Sequence, residues 1–117
     1  MEVSAEHLLE QARERFALQD YYGAAHLLEE LIGRGRSFAD AHHLMGLSLS
    51  LLGQHEKALA AFDRALAING RYIEAHIHRG IVLNELGRPQ EAEEAFRAAA
   101  THDAGDGAVG GFPRKVA

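Results

Sequence analysis

The 117-residue sequence predicts an all-α fold, an α-solenoid of three helix-turn-helix repeats. Apolar residues return at helical intervals along almost the whole chain, and β-branched residues are too scarce to build strands. The segments GQHEKALAAFDRAL (53–66) and GRPQEAEEAFRAAA (87–100) carry Gly, Ala, Phe and Ala in the same order. Their offset is constant, from Gly53 to Gly87, Ala58 to Ala92, Phe62 to Phe96 and Ala65 to Ala99. Glycine and proline punctuation divides the chain into six helices of ordinary globular length.

Those helices are expected at 5–18, 22–33, 39–52, 55–68, 73–86 and 89–101. Gly53 and Gly87 end the third and fifth, where a left-handed residue satisfies the last carbonyls without a Cβ penalty. Pro89 opens the sixth, at a position where its missing N–H costs nothing. Gly33 with Gly35, and Asn69 with Gly70, are expected to stop the second and fourth helices. Gly46 and Gly80 lie mid-helix, where glycine costs about 1 kcal/mol against alanine, so each implies close approach of a neighbour. Ala58 and Ala92 face them from the opposing helix, and Phe62 and Phe96 fill the space one turn further on.

A single hairpin cannot bury its apolar face, so neighbours stack, and about three are needed for a stable array. One domain over 1–106 is therefore expected, with repeats 5–38, 39–72 and 73–106, then a Gly-rich tail or the start of a further segment at 107–117. Four glycines fall between 105 and 111, and no polar cap is visible after Ala100. Either a next helix begins near Phe112 or Pro113, or the terminal face packs against a second copy.

Bulk composition narrows the function. Apolar residues at 47% and charged residues at 25% are globular proportions, which argues against wholesale disorder. A formal net charge of −5 gives no pull toward nucleic acid or anionic lipid. The absence of cysteine removes disulfides and thiol chemistry. The amino terminus is acidic where a secretory signal is basic, and no apolar run is long enough to span a bilayer, so a soluble, cytoplasmic protein is expected.

The repeat resembles the tetratricopeptide repeat family, whose 34-residue unit has a small residue at position 8, Gly at 15, Ala at 20, an aromatic at 24 and Ala at 27. Starting at Ala39 and Ile73, those positions hold Gly46, Gly53, Ala58, Phe62 and Ala65, then Gly80, Gly87, Ala92, Phe96 and Ala99. A degenerate first copy starts at Ala5 and carries Ala12, Gln19, Ala24, Leu28 and Leu31. Gln19 in place of the turn glycine suggests a slightly different corner. The usual aromatic at position 4 is Leu8, His42 and His76, and the usual proline at 32 is Arg36, Gly70 and Ala104. The resemblance implies a right-handed superhelix whose first helices line a concave groove that takes partners.

In the family, positions 2, 5, 9 and 12 of each first helix face that groove. Here they are Glu6, Leu9, Arg13 and Phe16, then Asp40, His43, Leu47 and Ser50, then Glu74, Ile77, Ile81 and Asn84. An apolar centre with an acidic edge implies a protein or peptide partner with apolar side chains and basic flanks. The acids also sit in first helical turns, where a carboxylate stabilises the helix by about 0.3–1 kcal/mol without any ligand. A small rotation of the helices would instead make Leu47, Ile77 and Ile81 core. Some family members clamp a terminal carboxylate with Lys and Asn at positions 5, 6 and 9. Only Arg13 suits that role here, which argues against such a clamp.

Chemistry finds little purchase. His42, His43, His76 and His78 fall in adjacent repeats, but position 4 is a packing site and zinc needs three or four converging ligands. The runs LLEELI and EAEEAF suit a solvated helix face, and Ser48 and Ser50 have no specified triad. No phosphate loop or nucleophile elbow is present. No cofactor and no catalysis are expected. The function implied is a protein-protein interaction module using the concave groove, the alternative being a self-association or regulatory segment of a larger enzyme or secretion assembly.

Overall fold

A computed structural model describes residues 3–36 and 38–107. The described residues form six helices and no strand: α1 (Ala5–Ala17), α2 (Tyr21–Gly33), α3 (Ala39–Leu51), α4 (His55–Ile68), α5 (Ile73–Glu85) and α6 (Pro89–Gly107). Consecutive helices pack as hairpins, α1 with α2, α3 with α4, and α5 with α6. The hairpins stack along one direction into a body of 53 × 31 × 25 Å.

Local sequence accounts for the starts. The Ser4 side chain accepts the His7 N–H at 3.1 Å, and Asp20 accepts the Gly23 N–H at 2.9 Å, so α1 and α2 are capped by side chains. Pro89 is the first residue of α6, as its fixed φ favours.

The corner of the first hairpin is the same as the other two. Gln19 takes a left-handed φ of 64°, matching 80° at Gly53 and 74° at Gly87. In each corner the N–H that follows this residue turns back to a carbonyl of the preceding helix: Asp20 to Arg15, Gln54 to Leu49, and Arg88 to Leu83, at 2.8–2.9 Å. That reverse hydrogen bond satisfies an orphan carbonyl, and it holds even where a side chain must tolerate the left-handed region.

The expected stops after the second helices are only partly of that kind. Gly33 remains inside α2, and Gly35 supplies the left-handed turn at φ 80°. At the end of α4 neither Asn69 nor Gly70 is left-handed. Asn69 is extended, and its side-chain oxygen accepts the Arg71 N–H at 3.1 Å, an Asx turn in place of a glycine stop.

Two clusters build the core. One joins Leu8, Ala12, Leu28, Leu31, Ala41 and Met45, and the other joins Leu59, Phe62, Val82, Leu83, Ala92 and Ala95. Phe62, Leu28, Leu31 and Leu83 are fully buried, each contributing about 1.5–3 kcal/mol of transfer free energy. The mid-helix glycines make room for rings: a Cβ on Gly46 or Gly80 would strike Phe62 or Phe96 of its own hairpin.

α6 runs past the expected end at 101, to Gly107. His102 lies on this extension and stacks on His76, with ring centroids 5.3 Å apart. Where α4 buries Leu59 against Val82 and Leu83, α6 carries Glu93, paired with Arg97 at 3.0 Å. From residue 108 onward the expected tail, with Phe112 and Pro113, lies outside the described residues.

Candidate functional site: the face of the first helices

The backbones of the first helices approach one another, α1 to α3 and α3 to α5, whereas those of the second helices α2, α4 and α6 do not. The first-helix row is therefore the tighter one, and the stack curves with that row inside. Every expected groove residue lies at least partly open to solvent on this row: Leu9, Phe16, His43, Leu47 and Ser50 are half-buried or nearly so, and Glu6, Arg13, Asp40, Glu74, Ile77, Ile81 and Asn84 reach solvent more fully. Ile77 at 37% and Ile81 at 46% exposure are not core. Leu47 is the intermediate case, packed against the second cluster while still lining a recess of about 290 Å³.

A line of polar contacts crosses the row. Arg13 on α1 pairs with Asp40 on α3 at 3.4 Å. The Tyr72 hydroxyl donates to Asp40 at 2.8 Å and lies 3.1 Å from His43 Nδ1. His43 Nε2 is in turn 2.9 Å from His78 Nδ1 on α5. Because the tyrosine proton is given to the carboxylate, His43 Nδ1 must donate to the tyrosine oxygen. Its Nε2 is then an acceptor for the His78 Nδ1–H. Donors thus run in one direction, from His78 through His43 and Tyr72 to Asp40.

Burial gives these groups their electrostatics. Desolvation, with His78 beside it, pushes His43 down to about 4 against the pull of Glu74 and Asp40. His78 is lowered by burial as well. Burial and the Asp40 carboxylate raise Tyr72 well above its ordinary range, so it stays a donor. The face therefore presents neutral rings and a fixed hydroxyl at neutral pH.

The acidic edge is less available than its composition implies. Glu6 is engaged by Arg36 at 3.5 Å, and Asp40 by Arg13 and Tyr72. Glu74 has no ion pair among the described residues. Arg13, the one candidate for a carboxylate clamp, is already committed to Asp40. Phe16 meets Tyr21 edge-on at 5.3 Å between centroids.

The groove positions of the repeat do not include Tyr72, although a signal for it existed in the sequence. Phe38 and Tyr72 hold the same place in successive repeats, and each precedes a first helix. The histidines sort by position. His76 Nε2 donates to the Gly70 carbonyl at 2.9 Å, while His42 is buried and makes no hydrogen bond to a described residue. Ser48 is buried and donates to the Leu44 carbonyl at 2.9 Å. Among the described residues no three His, Asp or Glu side chains converge as a metal site, and no helix is long and apolar enough to cross a membrane.

The tetratricopeptide repeat family model matches residues 37–103. An uncharacterized protein of Methanocaldococcus jannaschii is 34% identical over 58 residues, which is 50% of this chain and 67% of that protein. A crystal structure of MamA superposes with a TM-score of 0.84 at 25% identity, over 88% of this chain and 60% of the MamA chain. The chain thus spans about 60% of the MamA length. The second such domain of Spaghetti (RPAP3), bound to the HSP90 peptide SRMEEVD, matches with a TM-score of 0.80 at 20% identity, over 83% of this chain and 90% of that one. The TPR2B domain of yeast Sti1, in a pHsp70 complex, matches with a TM-score of 0.82 at 24% identity, covering 86% and 81%.

Proposed function

The chain belongs to the tetratricopeptide repeat family, and from that premise we propose that it is a protein-protein interaction module that binds a peptide or partner protein along the α1, α3 and α5 face. The observation that carries this reading is the pair Ile77 and Ile81, two large apolar side chains held open to solvent one turn apart on that face. Leu9 and Leu47 continue the apolar row on α1 and α3, and the Tyr72 and His43 contacts give it a rigid polar border. The RPAP3 and Sti1 domains of the same fold, each solved with a peptide or protein ligand, support a binding role.

The partner this face suits is an apolar segment. A basic flank is best placed against Glu74, the edge carboxylate left without an ion pair among the described residues. Affinity capture from the native organism with wild-type protein and an Ile77→Asp/Ile81→Asp variant tests the proposal. Loss of the captured partner, with the helical circular-dichroism spectrum intact, is expected. Equal recovery by both proteins rejects the face as the binding site.

A further inference from the structure

The opposite side of the stack holds a second opening. The backbones of α2 and α4 stay apart, and between them lies a cleft of about 700 Å³ floored by α3. Each helix lends one stripe at helical spacing. From α3 come His42, Met45 and Leu49, while Glu29 stands on the α2 wall and Lys57 and Arg64 on the α4 wall.

Comparison with the next hairpin shows why this cleft is open. Ala25 corresponds to Leu59, Met45 to Arg79, and Lys57 to Glu91, each one repeat later. In the later position Leu59 is buried, Arg79 reaches from α5 to Asp63 on α4 at 2.6 Å, and Glu91 is held by Arg88 at 2.8 Å. An ion pair and a larger side chain thus occupy the space that small and uncommitted side chains leave free in the first interface.

Three polar groups of the cleft, Lys57, Arg64 and His42, lack side-chain partners among the described residues. Seven described arginines are paired with carboxylates, and Arg71 is engaged too. Lys57 and Arg64 have no carboxylate partner among the described residues, and both line this cleft. His42, only 5% exposed, lines its floor without a hydrogen bond to any described residue, whereas its counterpart His76 is bonded to Gly70. Burial and the nearby Arg64 lower the His42 pKa, so the ring is neutral and offers a single N–H donor at neutral pH.

We propose that the cleft between α2 and α4 is a second docking site, taking an amphipathic helix of a partner protein whose apolar face meets Met45 and Leu49 and whose acidic edge meets Lys57 and Arg64. Lys57 and Arg64 are two turns apart on one helix, about 10 Å along the axis at roughly 1.5 Å per residue. Carboxylates two turns apart on a helix lying along α4 have that same separation. Glu29 on the opposite wall favours a Lys or Arg on the other edge of the incoming helix.

The test uses a fluorescein-labelled designed helix of about 18 residues, long enough to run beside α4, with Leu on one face, Glu two turns apart on one edge and Lys on the other. Anisotropy titration of the full chain is expected to give saturable binding that weakens by about tenfold or more in Lys57→Glu/Arg64→Glu, since rim charges are reversed rather than removed. The same binding is expected to survive Ile77→Asp/Ile81→Asp, so failure here is distinguishable from failure of the α1, α3 and α5 face. A peptide with Lys in place of Glu, and so basic on both edges, is expected to recover affinity for the charge-reversed variant, whose α2 and α4 walls are then both acidic. The proposal is overturned by absent saturation, by equal affinity for wild type and Lys57→Glu/Arg64→Glu, or by loss of binding in the Ile77 and Ile81 variant. A change in oligomeric state on charge reversal, read by sedimentation equilibrium, overturns it in favour of a second copy as the occupant.

Discussion

A Cβ placed on Gly46 falls 2.5 Å from Cε1 of Phe62, and the same construction on Gly80 falls 2.6 Å from Cε1 of Phe96. Side chains one repeat apart therefore occupy equivalent niches, each ring lying on a helix surface stripped of its own side chain. The first hairpin solves the same problem with Ala12 and Leu28, both fully buried, which moves volume from the ring to the facing position.

That exchange sets a prediction. Gly46→Ala is expected to destabilise the fold by about 1–3 kcal/mol through overpacking, although alanine is the better helix former. Phe62→Leu alone leaves a cavity. Together they restore the first hairpin's pairing, so the double variant is expected to lose less than the sum, with a coupling of about 0.5–3 kcal/mol in urea unfolding. Strictly additive losses would reject the shared niche.

Gln19 holds the φ of 64° that Gly53 and Gly87 approach without a side chain. Gln19→Gly is expected to stabilise the protein by roughly 0.5–1 kcal/mol, and Gly53→Ala to cost about the same. Opposite signs in chemical denaturation are the readout; a destabilised Gln19→Gly would mean that the left-handed side chain is not strained.

The His43 ring is faced by Asp40, Tyr72, His78, Glu74 and Phe62, and is neutral in the folded state. Its pKa lies near 4 when folded, below the ordinary 6.5 of the unfolded chain. The unfolded state thus binds the extra proton between those values, so stability is full above pH 6.5 and declines as the pH falls toward 4. Each unit of difference is worth about 1.4 kcal/mol before solvent screening, and for this partly open ring a loss of about 1–2 kcal/mol is expected. Thermal melts across that window are expected to show a shallower decline for His43→Gln than for wild type; identical slopes would exclude the ring as the cause.

Tyr72→Phe removes the hydroxyl that joins Asp40 to His43. A loss of about 1 kcal/mol is expected for hydrogen bonds at a half-open site. Nitrogen NMR of the imidazoles checks the direction of the chain: His43 is expected to carry its proton on Nδ1 in wild type and to lose that tautomer bias in the variant. An unaltered tautomer signature would contradict the proton order derived from the tyrosine.

The helices, their order and the repeat register follow from residues close in sequence. Helical spacing, Pro89, Gly53 and Gly87 act within one turn or one corner, so a linear pattern displays them. Gln19 shows the limit, because the reverse hydrogen bonds of its corner impose the left-handed geometry that its residue type does not announce. The extension of α6 past 101 likewise emerges beside His76, which stacks on His102 from the other helix of the hairpin. Stacking decided which polar groups meet across hairpins, whereas Arg88 with Glu91 and Arg97 with Glu93 pair locally along the chain. Arg13 meets Asp40 and His43 meets His78 between neighbouring hairpins, while Lys57 and Arg64 are left facing an open cleft. Such pairings depend on where two hairpins place side chains of different lengths, and a repeat that equates positions cannot encode the differences between its copies.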